Sequence, residues 1–323
     1  MHKISSKLCH ILGVKHKPFG GLNMIFAGDF AQLPPIQGEN ASLYGRKIAI
    51  GKSLWHQVTT VVILWENMHQ RQQSPDDAEL QMALENLRYN ACTQKDIAFL
   101  ESRASVSDDV FQNVSVITSW NVHKDEANRL GSICFANETS QTLTDFYLED
   151  NEFQCAFWDQ PPSNTDLKIP GKLSLCVSMP IMIQRNSATE LGMTKGQEGT
   201  VYAWQSCKGS RGQHVLDTLF VLLQNPPSPV QFDGLPLNVV PIVPLKARVC
   251  VNLPGNKHTM ITREQVKVLP NFAMTDYAAQ GKTHPFNVVD LYKCKSHQSL
   301  YTCLSRSASA AGMIILQGAS GAL

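Results

Sequence analysis

Apolar and polar positions follow two periods along this chain, and the period changes about half-way. Residues 2–12 place Ile4, Leu8, Ile11 and Leu12 on one face at helical spacing. Phe19-Gly20-Gly21 then turns the chain, and the apolar run Leu22 to Ala27 ends in Gly28-Asp29, which predicts a buried strand entering a loop. Val58 to Leu64 (V-T-T-V-V-I-L) predicts a second buried strand from its β-branched content. Ser74-Pro75-Asp76-Asp77 starts a helix with a cap, a proline at the first position and a carboxylate at the third. Leu80, Leu84 and Leu87 continue it at helical spacing, and Thr93-Gln94-Lys95-Asp96 opens another in the same way. Val114 to Thr118 reads as a strand, followed by a helix through Glu126 and Leu130. Strands alternating with helices at these intervals indicate an α/β domain with a parallel sheet.

The middle of the chain differs. Residues 157–171 are polar, contain Pro161, Pro162 and Pro170, and read as a linker. From Leu173 to Val268 short strand-like runs alternate with turns, interrupted by the proline-rich stretch 226–241, and predict a small β-barrel insertion. After Leu269-Pro270 the α/β pattern returns. A helix is expected over 272–280, a strand over 287–290, a helix over 297–306 and a last strand over 313–316.

Composition narrows the class. Over 323 residues, 43% are hydrophobic and 17% charged, which excludes wholesale disorder. The 28 Lys and Arg against 27 Asp and Glu leave a charge of +1, so a nucleic-acid surface has to be a local groove. No apolar run approaches the roughly 18 residues of a membrane span, and no membrane partner is expected. The nine cysteines are scattered without a C-x-x-C pair, which fits buried thiols in a reducing intracellular compartment. Cys294-x-x-His297 with Cys303 nearby lacks a fourth ligand at zinc spacing, so no metal site is expected. No G-x-S-x-G elbow occurs, which argues against an α/β-hydrolase.

Three segments carry candidate chemistry. Gly28-Asp29-Phe30-Ala31-Gln32-Leu33-Pro34-Pro35 follows a predicted strand, at the edge where open α/β sheets bind ligands. There Gly28 permits a tight exit, Asp29 can cap loop amides, and the neutral Gln32 can touch a phosphate oxygen and position a water. The bland alternative is an ordinary strand-to-loop turn. Gln280-Gly281-Lys282-Thr283 offers an amide, a close backbone approach, a cation and a hydroxyl, which suit phosphates or a nucleic-acid backbone; alternatively Gly281 is a plain helix C-cap. Leu304-Ser305-Arg306 places an arginine at a helix end, either satisfying the last carbonyls or reaching a transferring phosphate.

Together the segments resemble motifs III, V and VI of PIF/RecD-like superfamily-one DNA helicases, in order along nearly the whole chain. Val116-Ile117-Thr118 with Asn121 and Asn128 resembles the opening of their second motor domain, and residues 173–201 resemble their inserted barrel. The likeness is greatest to helicases of Helitron-type transposons. It implies RecA-like parallel-sheet motor domains that sandwich ATP and Mg²⁺, and hydrolysis that drives 5′→3′ movement on single-stranded DNA. The expected organisation is the rear of the first motor domain over 1–69, a helical connector over 70–110, the second motor domain over 111–170 and 269–323, and the inserted barrel over 171–268.

The resemblance also assigns roles. Gln32 and Arg306 would act on the γ-phosphate as the catalytic pair. Gly28, Asp29, His69, Arg71, Gln280 and Gly281 would join them in holding nucleotide, while Thr118, Asn121, Lys282 and Thr283 would contact DNA. It implies work in DNA repair, recombination and telomere maintenance, and a nuclear location.

The departures are specific. The family's P-loop, G-x-x-x-x-G-K-[ST], has no match in residues 1–323, nor is there an Asp-Glu box following one. Gly51-Lys52-Ser53 and Gly281-Lys282-Thr283 fail because the required upstream glycine is Arg46 in one and Asp276 in the other. At motif IV, where the family has an arginine before glutamine, this chain reads Asn67-Met68-His69-Gln70, with Arg71 one position past the glutamine. The expectation is an incomplete copy, its missing front half carrying the P-loop, which binds ATP poorly and hydrolyses it negligibly. The alternative is a non-enzymatic remnant that binds single-stranded DNA.

Overall fold

The structure, a computed structural model, describes residues 1–35, 50–64, 67–70, 74–105, 114–150, 158–165, 167–253, 257–292, 294 and 296–317. The front of the chain holds α1 (His2–Ile11), a 3₁₀ turn (Pro18–Gly21) and α2 (Ile50–Trp55). Three ring contacts, Phe19–Phe26 at 5.9 Å, Phe26–Trp55 at 5.8 Å and Phe30–Trp55 at 6.1 Å, gather these segments.

The two strands predicted here do not form. Residues 22–27 and 58–64 join no ladder, and Val61, Val62 and Leu64 are 78%, 78% and 89% exposed. A strand is defined by its neighbours, and no described segment pairs with the backbone of either run. The apolar face of α1 is likewise open: Ile4, Ile11 and Leu12 are exposed, and the helix buries only Ser5, whose hydroxyl accepts from the Phe19 amide at 2.9 Å.

The two helices expected after Ser74 and Thr93 form. In α3 (Pro75–Arg88) the Ser74 hydroxyl accepts from the Asp77 amide, and the Asp77 carboxylate accepts from the Ser74 amide. Thr93 and Asp96 build the same reciprocal cap on α4 (Gln94–Ser102). Leu80, Leu84, Leu87 and Leu100 point into a core shared with the sheet behind.

That sheet has four parallel strands in the order β12-β1-β13-β14: β1 (Val116–Thr118), β12 (Ala273–Thr275), β13 (Asn287–Asp290) and β14 (Met313–Gln317). It lies between α5 (Asn121–Glu138) on one hand and α3 with α7 (His297–Leu304) on the other. The helix predicted over 272–280 starts later. Residues 273–275 pair with β1 as β12, and only Asp276–Ala279 form a short helix, α6, capped by the Thr275 hydroxyl.

Between these pieces run β2 (Thr144–Tyr147), β3 (Glu149–Asp150), β4 (Lys172–Leu175), β5 (Pro180–Ile183), β6 (Glu198–Lys208), β7 (His214–Leu223), β8 (Val239–Ile242), β9 (Leu245–Leu253), β10 (Lys257–Gln265) and β11 (Val268–Pro270). They pair antiparallel as three sheets, β11-β5-β6-β7-β8, β3-β10-β9 and β2-β4. Phe146 of β2 packs edge-on to Trp204 of β6 at 5.5 Å within a core shared by the five- and two-stranded sheets. No described ladder closes the sheets into one ring. Cys134 and Cys207 are exposed rather than buried, while Cys176 and Cys303 are buried. Among the described residues no helix is long and apolar enough to cross a membrane.

Candidate phosphate and strand site

The loop after residue 27 is organised by one carboxylate. Asp29 accepts from the Ala31 amide at 3.0 Å, the local bond its short side chain favours, and from the Gln32 amide nitrogen at 3.4 Å. It also pairs with Arg88 of α3 at 2.8 Å. Burial lowers the Arg88 pKa, but Tyr301 and Asp29 more than offset this and raise it, so the loop is held by a permanent cation. Arg88 was not foreseen; its position in the last turn of α3 matched a helix-end role. Gly28 does not act as expected: it is exposed, and a Cβ there would meet nothing within 4 Å.

The second segment meets the first directly. The Gln280 amide donates to Gln32 Oε1 at 3.1 Å, and the Tyr277 hydroxyl donates to the Pro34 carbonyl at 3.0 Å. Gly281 follows α6 with φ +83°, a left-handed conformation in which glycine carries no Cβ penalty. This turn sends Lys282 and Thr283 to different partners. Lys282 Nζ donates to Glu198 of β6 at 2.6 Å, and Thr283 Oγ1 shares a hydrogen bond of 2.5 Å with His69 Nδ1. The Lys282 charge is therefore already partnered.

The third segment is interior. Arg306 is 1% exposed and donates to the Thr302 carbonyl at 3.0 Å, the Lys282 carbonyl at 3.2 Å and the Ser305 hydroxyl at 2.7 Å. Arg306 thus satisfies the carbonyl at the end of α7 and one in the turn after Gly281. Burial lowers its pKa, with Tyr301, Cys303 and Asp29 opposing.

The Asn67–Gln70 segment docks on the same spot. The Asn67 side chain accepts from the His69 and Gln70 amides at 3.0 and 3.3 Å, and Gln70 Nε2 donates to the Ser307 carbonyl at 2.5 Å. Burial, then the field of Arg306, pushes the His69 pKa down, so its imidazole is neutral at pH 7. His69 is a neutral hydrogen-bonding group here and not a substitute cation. Arg71 lies outside the described residues.

Thr118 at the end of β1 and Asn121 at the start of α5 are both engaged by other side chains of the chain. Thr118 is buried and donates to Asp290 of β13 at 3.2 Å, so it cannot reach a DNA backbone as expected. Asn121 accepts from Lys168 Nζ at 3.2 Å. Asn128, noted only as part of the pattern, is buried and binds the outer edge of β12. It accepts from the Phe272 and Ala273 amides, both at 2.8 Å, and donates to the Ala273 carbonyl at 3.0 Å.

Comparison with known proteins agrees with this arrangement. Residues 1–88 match the family model described as PIF1-like helicase. The chain is 23% identical to the ATP-dependent DNA helicase Pif1 of Psychrobacter sp. (strain PRwf-1), across 93% of this chain and 49% of that one. It is 24% identical to the ATP-dependent DNA helicase PIF1 of Rattus norvegicus, across 93% of this chain and 41% of that one. Its fold matches the crystal structure of the Candida albicans Pif1 helicase with a TM-score of 0.68 at 19% identity, covering 98% and 70% of the two chains. The Bacteroides Pif1 bound to single-stranded DNA gives 0.67 at 16% identity, covering 98% and 67%. The chain is thus similar to PIF1-like helicases, in sequence over its first 88 residues and in fold over nearly its whole length. It spans about half the length of the curated relatives it matches.

The side-chain N–H groups of Gln32, Gln280 and Arg306 already have protein partners. Arg306, Gln280 and Gln32 lie on converging segments and together carry one charge and several N–H donors. Among the described residues no group of three His, Cys, Asp or Glu gathers to hold a metal ion. The residues described here therefore do not themselves account for Mg²⁺.

Proposed function

We propose that this PIF1-like chain carries the phosphate-sensing and strand-gripping elements of an ATP-driven DNA helicase that moves 5′→3′ along single-stranded DNA. The observation that carries the reading is the bond between Gln32 and Gln280 at 3.1 Å. It ties the loop of the front segment to the turn that precedes Lys282, Thr283 and the carbonyl held by Arg306. A phosphate arriving at Gln32 would compete for that amide and so alter the contact between the two halves. Arg88 and Asp29 act as the fixed post of the front loop.

A second reading is favoured by a specific observation. Residues 1–323 contain no P-loop, and Gln32, His69 and Arg306 are each engaged by protein partners. On that basis these residues bind single-stranded DNA without turning over ATP. Nuclear residence is part of this proposal and rests on the family resemblance alone. The experiment is phosphate release from ATP and Mg²⁺ with and without an oligothymidylate. We expect no strand-stimulated release. Stimulated turnover that is lost in Arg306→Ala would overturn the second reading and leave the working motor.

A further inference from the structure

Three rings stand in a row on the carboxyl edge of the parallel sheet. Trp120 and His123 lie 6.3 Å apart between ring centroids with planes 29° apart, and His123 and Tyr292 lie 6.3 Å apart with planes 15° apart. Trp120 caps α5, His123 lies in the first turn of that helix, which follows β1, and Tyr292 comes from the turn after β13. These strands are hydrogen-bonded neighbours whose last residues, Thr118 and Asp290, are register partners. The carboxyl edge of an open α/β sheet is where such folds bind ligands.

The row is held from beneath by Asp290. Its carboxylate accepts from the Thr118 hydroxyl at 3.2 Å and from the Tyr292 amide at 3.0 Å, and it lies 3.4 Å from His123 Nδ1. Asp290 thereby sets the positions of two of the three rings and is itself mostly covered, at 17% side-chain exposure. The rings are not sunk into the core. Trp120 and Tyr292 remain 36% and 37% exposed, although nothing in the sheet requires them at the surface.

Positive charge adjoins them. Lys168 reaches Asn121, next to Trp120, at 3.2 Å. Burial first, then Lys124 and Lys195, hold the Lys168 ammonium below its ordinary pKa, with Asp125 opposing. Of the acids nearby, Asp125 is spent on Lys124 at 2.8 Å, and Asp290 is occupied as described.

We propose that Trp120, His123 and Tyr292 form a stacking ledge for successive nucleobases of a single strand, with Lys168 beside it for the backbone and Asp290 as its positioning residue. The inference rests on the strand-binding reading above and names where that site meets the bases. Aromatic faces accept any base, so the ledge gives grip without sequence preference. Thr118 then serves from below, and Asn121 by steering Lys168.

The test compares a labelled oligothymidylate with an abasic strand of equal length, read by fluorescence anisotropy on the full chain. Trp120→Ala and Tyr292→Leu weaken the oligothymidylate about tenfold each, within the range of one stacked base, and leave the abasic strand unchanged. Trp120→Phe restores most of the loss. Lys168→Ala weakens both strands and lowers the salt slope by about one. Unchanged oligothymidylate binding in Trp120→Ala and Tyr292→Leu, or equal loss on both strands, overturns the ledge while the strand-binding reading stands. A wild-type chain that binds neither strand at low salt overturns both.

Discussion

Asn128 offers the most calculable perturbation. β12 is an edge strand, with β1 on one side only. Ala273 turns its N–H and C=O away from β1, and there the Asn128 carboxamide takes the place a further strand's peptide group would occupy. Its oxygen accepts two amides and its nitrogen donates to one carbonyl, all within buried surroundings. Asn128→Ala leaves these three backbone groups without protein partners. Each such bond contributes about 1 kcal/mol net, and a stranded buried group costs about 1–3 kcal/mol. The gain in helix propensity from alanine, about 0.5 kcal/mol, offsets little of this. The expected loss is about 3 kcal/mol, roughly 150-fold in the folding equilibrium. Urea unfolding followed by far-UV circular dichroism measures it, with Ser132→Ala as the matched control. That hydroxyl donates to the Asn128 carbonyl, a group already in the helix ladder, and its removal should cost under about 1 kcal/mol. A loss in Asn128→Ala no larger than in the control would refute the edge-capping argument.

Two further predictions concern titration. Burial pushes the Asp77 carboxyl up, but the Ala310 amide at 2.7 Å and the Ser74 hydroxyl and amide pull it further down, below its ordinary 3.8. A depressed folded-state pKa contributes stability that is complete above the unfolded value and is lost as pH falls through the folded one. Asp77→Asn should therefore lower the urea midpoint at pH 7 and flatten its decline below about pH 4; a parallel shift at every pH would contradict this. Cys294 is held near a pKa of about 7, chiefly by a hydrogen bond from Cys303 against the opposing effect of burial, with Ser119 and Ser299 assisting. Its alkylation by iodoacetamide, followed by peptide mass spectrometry, should reach half its limiting rate near pH 7 and shift upward in Cys303→Ala. A midpoint that stays put in that variant would assign the shift elsewhere.

What was legible in the sequence tracks how local its cause is. The caps at Ser74 and Thr93 formed as read because a hydroxyl and a carboxylate three residues apart need only each other. The β-branched run Val58 to Leu64 announced an apolar extended segment, but a strand needs a partner that no local pattern supplies. Phe272 to Thr275 read as the start of a helix because four residues hold no period; Asn128 and β1 make it a strand from outside. At the candidate site the residue types were legible and their directions were not. Gln32 and Gln280 meet although they lie 248 positions apart, a contact no local pattern announces. Thr118 carries the right hydroxyl, but its strand register aims it at Asp290. Arg306 likewise points inward, because the carbonyls of Thr302 and Lys282 are within its reach. The row of Trp120, His123 and Tyr292 was invisible because only the pairing of β1 with β13 makes the start of α5 and the turn after β13 neighbours.

Buried charge links these features to function. Arg306 holds its cation against carbonyl oxygens and a hydroxyl rather than a carboxylate, and such a charge costs stability unless an anion completes it. Its nearest field partners are the Asp29 loop and Tyr301, the same groups that fix Arg88. The front loop and the Arg306 helix end thus share the charges of Asp29 and Tyr301.

The most direct test of the account is the affinity of the full chain for a labelled oligothymidylate across a salt series. The account predicts binding at low salt whose logarithm falls linearly with the logarithm of salt concentration, with a slope of several, and stronger binding than to duplex of the same length. Absence of binding at low salt, or equal affinity for duplex, would contradict it.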